Sequence, residues 1–298
     1  MPESNNVIKW SDIEAQLKNL RSIEGGFSLT RKGILTLPSA IEIFVKISLD
    51  DSTRVWTKKE IATYKYLAAN KYPFIPIFLA NNIDNSGLAL EVLSAQSGWD
   101  WSNNWSKERV DKTLAAMDSL ALIKPEADDL VFFSEKSIDE INSSWNMLSK
   151  SADRQQKLHD MLIAANRLDV ANQIDSERAT GFSRRFIFKN NSLVHYDVRA
   201  DNCAWNNLTH QVRLVDWNWV QLGDRRIDVS SLMVHIYLSG FDILSEYTNR
   251  LDSDALHWLV GFWLNAATSP ADTDNLRTLR QLQLTAGIAA LDLLNQVE

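Results

Sequence analysis

Cysteine is nearly absent from this sequence, since Cys203 is the only one among 298 residues. A single cysteine excludes an intrachain disulfide and any metal site that is built from several thiolates. The sequence therefore predicts a reducing compartment. Cys203 directly follows Asn202 in an apolar run, a position that is typical of a small core residue.

A long hydrophobic run is also missing. No apolar stretch approaches the roughly 20 residues that a membrane-spanning helix needs. The first residues, MPESNNVIKW, lack the basic, apolar and small-residue order of a signal peptide. We therefore expect no membrane partner and a cytoplasmic location.

The sequence also lacks an excess of basic residues. The chain has 31 Lys and Arg against 38 Asp and Glu, which gives a formal net charge of -7 at pH 7. Because a basic footprint is lacking, we expect no nucleic-acid partner. An acidic balance would attract a cationic substrate, although a mild negative charge is also a common means of staying soluble. The length and the 45% hydrophobic content fit a soluble two-lobed protein and leave the oligomeric state open.

Polar residues in a distinctive order occupy the segment 193–219. His195, Asp197, Asn202 and Asp216 lie on two apolar, β-like runs that are joined by a polar turn. Kinases use this order of Asp, Asn and a second Asp as a catalytic base and two magnesium ligands. Amide and carboxylate oxygens suit Mg²⁺ because it is a hard cation. The pattern predicts Asp197 as the base and Asn202 and Asp216 as metal ligands; the alternative is a set of ordinary turn and capping residues.

The segments HYDVRADN (195–202) and LVDWNWVQLGDRRIDVSSL (214–232) resemble the catalytic core of the aminoglycoside phosphotransferase family. That family consists of small-molecule kinases with a protein-kinase-like fold. The resemblance implies an α+β, two-lobed fold with a small antiparallel-sheet N-lobe, residues 1–94, and a larger, mainly helical C-lobe, residues 95–298. It also implies transfer of the γ-phosphate of ATP, with Mg²⁺, to a hydroxyl group of a small acceptor.

Individual positions of the two segments follow or depart from the family pattern. By this resemblance His195 braces the catalytic loop, and Arg199 meets the transferring phosphate. Tyr196 is a departure, because the family most often has Gly there, and it bears on the geometry of the loop. The remaining matches are Asp216–Trp217, Gly223–Asp224 and Asp228, of which the last three residues brace the loop in the family.

A lysine and a partner carboxylate are expected upstream in such a kinase, and the sequence offers both in order. Residues 41–49 form an apolar run that is rich in β-branched residues, which predicts a strand with Lys46 near its end. Residues 56–69 have apolar positions at helical spacing, with Glu60 in the first half. We predict that Lys46 binds the α- and β-phosphates and that Glu60 is its ion-pair partner. Each residue taken alone would be assigned to a solvated surface.

The hairpin before Lys46 resembles the one that covers the nucleotide phosphates. Gly25, Gly26 and Ser28 separate two apolar stretches there. Glycines let backbone N–H groups approach phosphate oxygens, and the Ser28 hydroxyl can donate another bond. The alternative is a plain hairpin turn, since a full Gly-x-Gly-x-x-Gly pattern is lacking.

Residues 87–94 are predicted to form a buried strand that leads to the hinge between the lobes. The family fold reads adenine there through backbone groups. We expect the contacts to be the carbonyl of Glu91 and the amide of Leu93. The sequence does not distinguish ATP from GTP at this position.

The rest of the chain shows helical periodicity. The family builds its acceptor pocket from variable helical segments, here roughly 99–180 and 230–298. Helices are predicted, with local breaks, over 106–123, 136–149, 154–173, 228–239, 241–266 and 272–296.

Tryptophan is frequent, with 11 residues. Trp99, Trp101 and Trp105 lie close together in sequence and are predicted to pack at the interface between the lobes. The alternative is an aromatic wall that binds an ammonium group by cation–π attraction. Trp217 and Trp219 are predicted to fill core space beside Asp216.

These patterns together favour an ATP-dependent small-molecule kinase whose acceptor is a small hydroxyl compound of the aminoglycoside, amino-alcohol or sugar type. A second hypothesis is a catalytically silent, nucleotide-binding regulatory protein on the same fold. Its usual mark is loss of the base, the lysine or a metal ligand, and the sequence keeps all three. Protein phosphorylation is disfavoured because Asp-Trp replaces Asp-Phe-Gly.

Overall fold

Five antiparallel strands near the N-terminus form the largest sheet of the protein, in the order β1-β2-β3-β5-β4. The computed structural model describes residues 8–23, 28–125, 144–179, 187–189 and 191–298. Its strands are β1 Arg21–Ser22, β2 Thr30–Thr36, β3 Glu42–Ser48, β4 Phe78–Asn81, β5 Gly87–Glu91, β6 Trp99–Asp100, β7 Ser192–Val194, β8 Cys203–Asn206, β9 Gln211–Leu214 and β10 Gln221–Gly223. Its α-helices are α1 Trp10–Glu14, α2 Asp51–Ala69, α3 Lys107–Ala121, α4 Ser144–Lys150, α5 Ala152–Ala164, α6 Leu168–Ala179, α7 Arg225–Leu238, α8 Ser253–Ala267 and α9 Asp274–Val297.

Alternation along β2 and β3 decides which face of the large sheet is apolar. Leu35, Ile43 and Val45 are buried in one hydrophobic cluster. Because successive residues of a strand point to opposite faces, Lys46 lies on the other face from Val45. The predicted strand at 41–49 is confirmed as β3.

Helix α2 begins at Asp51, five residues before the predicted start at 56. The cause is a capping box: the Asp50 side chain accepts a hydrogen bond from the Thr53 N–H, and the Thr53 side chain accepts one from the Asp50 N–H. Ile61, Tyr64 and Leu67 are buried at helical spacing, on the side that also buries Glu60. The apolar period thus located the helix but not its polar first turn.

The chain forms two compact units. Unit 1 consists of Met1–Ser102, Lys107–Ile123 and Ala200–Val220, and unit 2 consists of Asn103–Ser106, Lys124–Arg199 and Gln221–Glu298. This is a different division from the predicted lobes 1–94 and 95–298, which stay a prediction.

Unit 1 contains a second, three-stranded sheet in the order β6-β8-β9, beside the large sheet and helices α2 and α3. The fully buried Arg109 of α3 donates hydrogen bonds to the carbonyls of Ser102 and Cys203, both at 2.8 Å. Burial raises the pKa of the Cys203 thiol, and its sulfur lies 3.4 Å from the Thr113 hydroxyl. Cys203 is therefore a core residue, as predicted.

Unit 2 is mainly helical and includes the two-stranded pair β7 and β10. Helices α8 and α9 pack against each other, with Leu264 over Gly287. Helix α4 packs on α8, where the Trp145 Nε1 donates to the carbonyl of His257 at 2.9 Å. The described helices together with the antiparallel sheet confirm the α+β fold class.

Two predicted helices have different bounds in the structure. The run 154–173 is divided into α5 and α6 at Asn166, whose φ of 57° is left-handed and ends the first helix. Of the run 241–266 only the part from Ser253 is α-helical, because Asp252 caps α8 by accepting from the Ala255 N–H at 2.9 Å. Most of the predicted helix 136–149 lies outside the described residues. Among the described helices, none is long and apolar enough to cross a membrane.

Candidate functional site

The Lys46 ammonium joins three elements of unit 1. Its Nζ donates to Glu60 Oε2 at 2.8 Å and to Asp216 Oδ1 at 2.9 Å. Strand β3 supplies the lysine, α2 supplies Glu60, and Asp216 follows β9 after one residue. The structure thus brings together three residues that the sequence analysis had selected separately.

The buried Lys46 ammonium is compensated by two carboxylates. Lys46 is 7% exposed and Glu60 is 2% exposed. Burial favours a lower pKa for the Lys46 ammonium, but the carboxylates of Glu60 and Asp216 outweigh it and raise that pKa above its ordinary value. Burial raises the pKa of the Glu60 carboxyl, and the Lys46 ammonium opposes the rise. Lys46 therefore stays a cation at neutral pH.

Asp216 has a left-handed backbone, with φ 64° and ψ 62°. Asp tolerates this conformation better than most residues. The Asn218 Nδ2 donates to Asp216 Oδ1 at 2.5 Å from the 3₁₀ turn that follows. Trp217 is fully buried, as predicted, whereas Trp219 is 48% exposed, so the prediction that Trp219 fills core space is wrong. A 3₁₀ helix has three residues per turn, so side chains two positions apart point in different directions. The rings of Trp217 and Trp219 therefore differ in burial.

Asn202 ends a 3₁₀ turn directly before β8 and is buried. Its carbonyl accepts from the Val215 N–H at 3.0 Å, which ties it to the residue before Asp216. Its amide oxygen and the partly exposed Asp216 carboxylate are hard oxygen donors of the kind that Mg²⁺ takes alongside phosphate oxygens. The two side chains therefore fit a magnesium ion.

The predicted catalytic loop in unit 2 is held by a buried carboxylate of α7. Asp228 Oδ2 accepts from the His195 N–H at 3.2 Å, and Oδ1 accepts from the Tyr196 N–H at 2.8 Å. The Asp197 N–H donates to His195 Nδ1 at 3.3 Å. Burial raises the pKa of the Asp228 carboxyl to about 6, although both backbone N–H groups oppose the rise.

Tyr196 adopts a left-handed backbone with φ 60°. This conformation is easy for Gly and unusual for a tyrosine, which explains why a Gly is suited to the position. The Tyr196 hydroxyl accepts from the Asp224 N–H at 2.7 Å, and a Cβ on Gly223 would overlap the same hydroxyl. The absence of a side chain at Gly223 and the hydrogen bond at Asp224 accommodate the Tyr196 ring.

Arg199 lies beside the predicted base. Its Nε is 3.6 Å from Asp197 Oδ1, and both side chains are about one quarter exposed (22% and 24%). Burial and the nearby Arg199 charge lower the pKa of His235 to about 4, so this histidine is neutral at pH 7. Unit 2 therefore presents one carboxylate and one guanidinium together on the predicted loop.

The predicted hinge residues have their own contacts in unit 1. The Glu91 N–H donates to the Ile77 carbonyl at 2.9 Å, and the Glu91 carboxylate accepts from the Ile77 N–H at 3.0 Å. The Leu93 carbonyl accepts from Trp101 Nε1 at 3.0 Å. The Glu91 carbonyl and the Leu93 amide stay predicted adenine contacts.

The predicted phosphate cover is described only in part. Gly25 and Gly26 lie outside the described residues. The Ser28 hydroxyl lies 3.3 Å from that of Thr30, at the start of β2. Strands β1 and β2, on either side of this segment, pair as the hairpin prediction requires.

Lys32 is a further cation near this group that was not predicted from the sequence. It pairs directly opposite Lys46 in the β2–β3 ladder, and Asp216, Asp201 and Glu60 all act on its charge. The signal was present in the two-residue period of β2, which places Lys32 on the other face from the buried Leu35.

Comparison with known proteins supports the same chemistry. The phosphotransferase enzyme family (APH) matches residues 19–258. No curated protein matches the sequence.

Solved structures show the same fold at low sequence identity. The choline/ethanolamine kinase family protein from Mesorhizobium loti is 12% identical, with 93% of this chain and 92% of that chain covered and a TM-score of 0.54. Choline kinase LicA from Streptococcus pneumoniae is 12% identical, with 91% and 95% covered and a TM-score of 0.52. The ternary complex of streptomycin, ATP and APH(2″)-IIa is 15% identical, with 95% and 97% covered and a TM-score of 0.52.

The family match covers most of the sequence, including Lys46, the catalytic loop and Asp216. The structural matches agree with the protein-kinase-like fold that the sequence predicted. The chain therefore belongs to the phosphotransferase enzyme family, as a small-molecule phosphotransferase with a hydroxyl group as acceptor.

Proposed function

We propose that this protein transfers the γ-phosphate of ATP to a hydroxyl group of a small, cationic acceptor of the aminoglycoside, amino-alcohol or sugar type. The observation that carries the proposal is the buried Lys46 ammonium between Glu60 and Asp216, at 2.8 and 2.9 Å. Kinases hold the nucleotide phosphates with such a lysine, which a helix carboxylate keeps in position. Burying a charge is costly, and the buried Lys46–Glu60 ion pair has little stabilising value of its own, which favours a binding role.

Lys46 would bind the α- and β-phosphates, and Glu60 would hold its ammonium in place. Asn202 and Asp216 would hold Mg²⁺, which when bound neutralises negative charge on the phosphates. Glu60 is too deeply buried for a direct part in the chemistry, because its exposure is 2%. We assign it a positioning role.

The remaining nucleotide contacts follow the family pattern. Backbone N–H groups of Gly25 and Gly26, with the Ser28 hydroxyl, would cover the phosphates. The Glu91 carbonyl and the Leu93 amide would read the adenine. ATP is favoured over GTP because one structurally similar protein is a complex with ATP.

Asp197 would orient the acceptor hydroxyl and take its proton as the hydroxyl oxygen attacks the γ-phosphorus. The bond from that phosphorus to the β–γ bridging oxygen breaks, and ADP leaves with the electron pair. Arg199, 3.6 Å from Asp197, would stabilise negative charge on the group in transfer. His195 braces the loop, since its Nδ1 accepts from the Asp197 N–H.

A row of aromatic rings in unit 2 supports a cationic acceptor. The rings of Trp258 and Phe262 on α8 stack at 5.4 Å, and Phe188 meets Trp258 edge-on at 5.8 Å. These three rings are partly exposed. Ammonium groups bind over aromatic faces by cation–π attraction.

The aromatic row is connected to the predicted base within unit 2. Phe262 lies 6.4 Å from Trp263, whose ring meets His235 at 5.6 Å. The charge of Arg199 acts on His235. The similar structures name choline, ethanolamine and streptomycin, all of which carry cationic groups. The single cysteine supports a cytoplasmic location.

The test is ATP consumption by the purified protein with Mg²⁺ across aminoglycosides, amino alcohols, sugars and nucleosides. Asp197→Asn should lose at least about 1,000-fold in turnover of the acceptor that is found, because the base is removed, while MgATP affinity changes less than about threefold. Asp272→Asn, an exposed carboxylate of unit 2, is the matched control and should keep full turnover.

Two outcomes would contradict the proposal. Turnover retained by Asp197→Asn would remove the assignment of the base. Tight MgATP binding by the wild type with no turnover across the panel would support the silent, nucleotide-binding hypothesis instead.

A further inference from the structure

Lys32 shares a face of the large sheet with Lys46. The two residues are direct partners in the antiparallel β2–β3 ladder. Side chains of directly opposed residues project from the same face, about 5 Å apart at Cβ. Because the Lys46 ammonium is held by Glu60 and Asp216, the Lys32 side chain projects toward the same group of charges.

The lysine pair places two positive charges next to each other on this face of the sheet. Like charges directly opposite each other destabilise a sheet. Burial and the Lys46 charge lower the pKa of the Lys32 ammonium, while Asp216, Asp201 and Glu60 raise it by smaller amounts. The net effect is a cation that its own surroundings do not fully compensate.

The two lysines differ in their partners. Lys46 donates to two carboxylates. Among the residues that the structure describes, none lies within ion-pair or hydrogen-bond distance of the Lys32 ammonium, although Lys32 is only partly exposed. A lysine on a strand that served solubility alone would extend into water.

A nucleoside triphosphate carries more negative charge than one Mg²⁺ and one lysine neutralise. We infer that Lys32 is a second phosphate-binding cation of the nucleotide site, and that it contacts the terminal phosphates of the triphosphate. The inference rests on the proposed nucleotide site at Lys46. It makes the lysine pair, and not Lys46 alone, the cationic side of that site.

The experiment measures binding of MgATP, MgADP and adenosine by isothermal titration calorimetry. The variants are Lys32→Gln, Lys32→Arg and, as a matched control, Arg31→Gln. Arg31 is the neighbouring cation on the opposite face of β2, and its guanidinium donates to the Leu17 carbonyl at 2.7 Å. Thermal unfolding of each variant establishes that it is folded.

Lys32→Gln should weaken MgATP binding by about tenfold or more, as expected for a lost charge-assisted hydrogen bond. MgADP should lose less, and adenosine affinity should not change. Lys32→Arg should recover most of the MgATP affinity, since the charge is kept, and Arg31→Gln should bind like the wild type.

Equal MgATP affinity of Lys32→Gln and the wild type would overturn the inference and leave the proposed function intact. A loss for adenosine as large as the loss for MgATP would also overturn it, because the effect would then be on the fold of the site. Failure of the wild type to bind MgATP would overturn the proposed function itself.

Discussion

Asp228 carries a buried carboxyl whose two oxygens hold the backbone of the proposed catalytic loop at His195 and Tyr196. It differs from Glu60, whose partner is a buried ammonium at 2.8 Å. Burial raises the pKa of both carboxyls, and that of Asp228 reaches about 6. The loop is therefore positioned by a residue that is costly to ionise.

A pH dependence of stability follows from this carboxyl. Its ordinary pKa is 3.8 and its pKa in the folded protein is about 6. Between these values the folded protein keeps a proton that the unfolded chain has released, so the free energy of unfolding falls as the pH rises. The total contribution is about 3 kcal/mol, lost between roughly pH 4 and pH 7.

Asp228→Asn should lack this dependence, because an amide does not titrate. The free energy of unfolding of the wild type minus that of Asp228→Asn should therefore be about 3 kcal/mol larger at pH 4 than at pH 7. Urea denaturation of both proteins across this range measures it. The hydrogen bond that Asn cannot accept adds an offset that is the same at every pH, so a difference that does not change with pH would contradict the assignment.

Tyr196 shows how a single position is decided by its neighbours. Its φ of 60° costs free energy for any side chain with a Cβ. The hydrogen bond from the Asp224 N–H and the open space at Gly223 offset that cost. A large residue where the family most often has Gly is thus compatible with an intact loop.

At the scale of elements, helices α4 and α9 both pack closely against helix α8 of unit 2, and each contact includes a glycine. The Trp145 ring of α4 stacks on His257 at 5.2 Å and covers Gly261. On α9, Gly287 receives the end of the Leu264 side chain. Both glycines are in helices, but their neighbours differ in freedom, because the Trp145 ring is rigid and the Leu264 side chain can change rotamer.

This difference predicts a larger loss of stability at Gly261 than at Gly287 for the same substitution to Ala. Gly261→Ala should lower the free energy of unfolding by about 1–3 kcal/mol, since its Cβ would overlap the Trp145 ring. Gly287→Ala is the comparison and should lower it less, because the Leu264 side chain can shift in part, although its Cγ and backbone nitrogen are also close, and Ala gains roughly 1 kcal/mol over Gly in a helix. Thermal unfolding of the two variants compares them, and an equal loss of stability in both would refute the argument.

At the scale of the whole molecule, residues assigned to nucleotide binding and residues assigned to acceptor chemistry fall in different compact units. Lys46, Glu60 and Asp216 belong to unit 1, and Asp197 belongs to unit 2. The catalytic motif passes from one unit to the other in sequence between Arg199 and Ala200. Ligand binding and turnover should therefore respond to different substitutions.

Thermal stability provides the measurement. A ligand that binds only the folded state at about 100 times its Kd raises the free energy of unfolding by about 2.7 kcal/mol. MgATP should raise the Tm of the wild type and of Asp197→Asn by the same several degrees. Removal of Mg²⁺ with a chelator should reduce the rise, because the proposed ligands Asn202 and Asp216 would then lose the ion that they are proposed to share with the phosphates.

Lys46→Met is the control for this experiment. It should show a lower Tm without ligand, since Glu60 is left buried without its cation, and little or no rise with MgATP. A rise in Lys46→Met equal to that of the wild type would show that ATP binds elsewhere.

The sequence by itself determined which residues are candidates for the chemistry of this protein. Asp197, Asn202 and Asp216 lie within one short segment, so their order is recognisable without knowledge of the fold. The patterns of apolar residues over 41–49 and 56–69 placed Lys46 on a strand and Glu60 on a helix. Side-chain period and motif spacing are properties of neighbouring residues, so they survive in the bare sequence. The same holds for the single cysteine and the absence of a basic excess.

Only the tertiary structure decided which distant groups meet. The two hydrogen bonds of Lys46 join residues that are 14 and 170 positions apart, and Lys32 enters the group through strand register. The exposed Trp219 and the helix end at Asn166 were also beyond the sequence, because each depends on a local backbone turn. Register, burial and left-handed backbone are set by packing against residues far along the chain, and no pattern of neighbours records them.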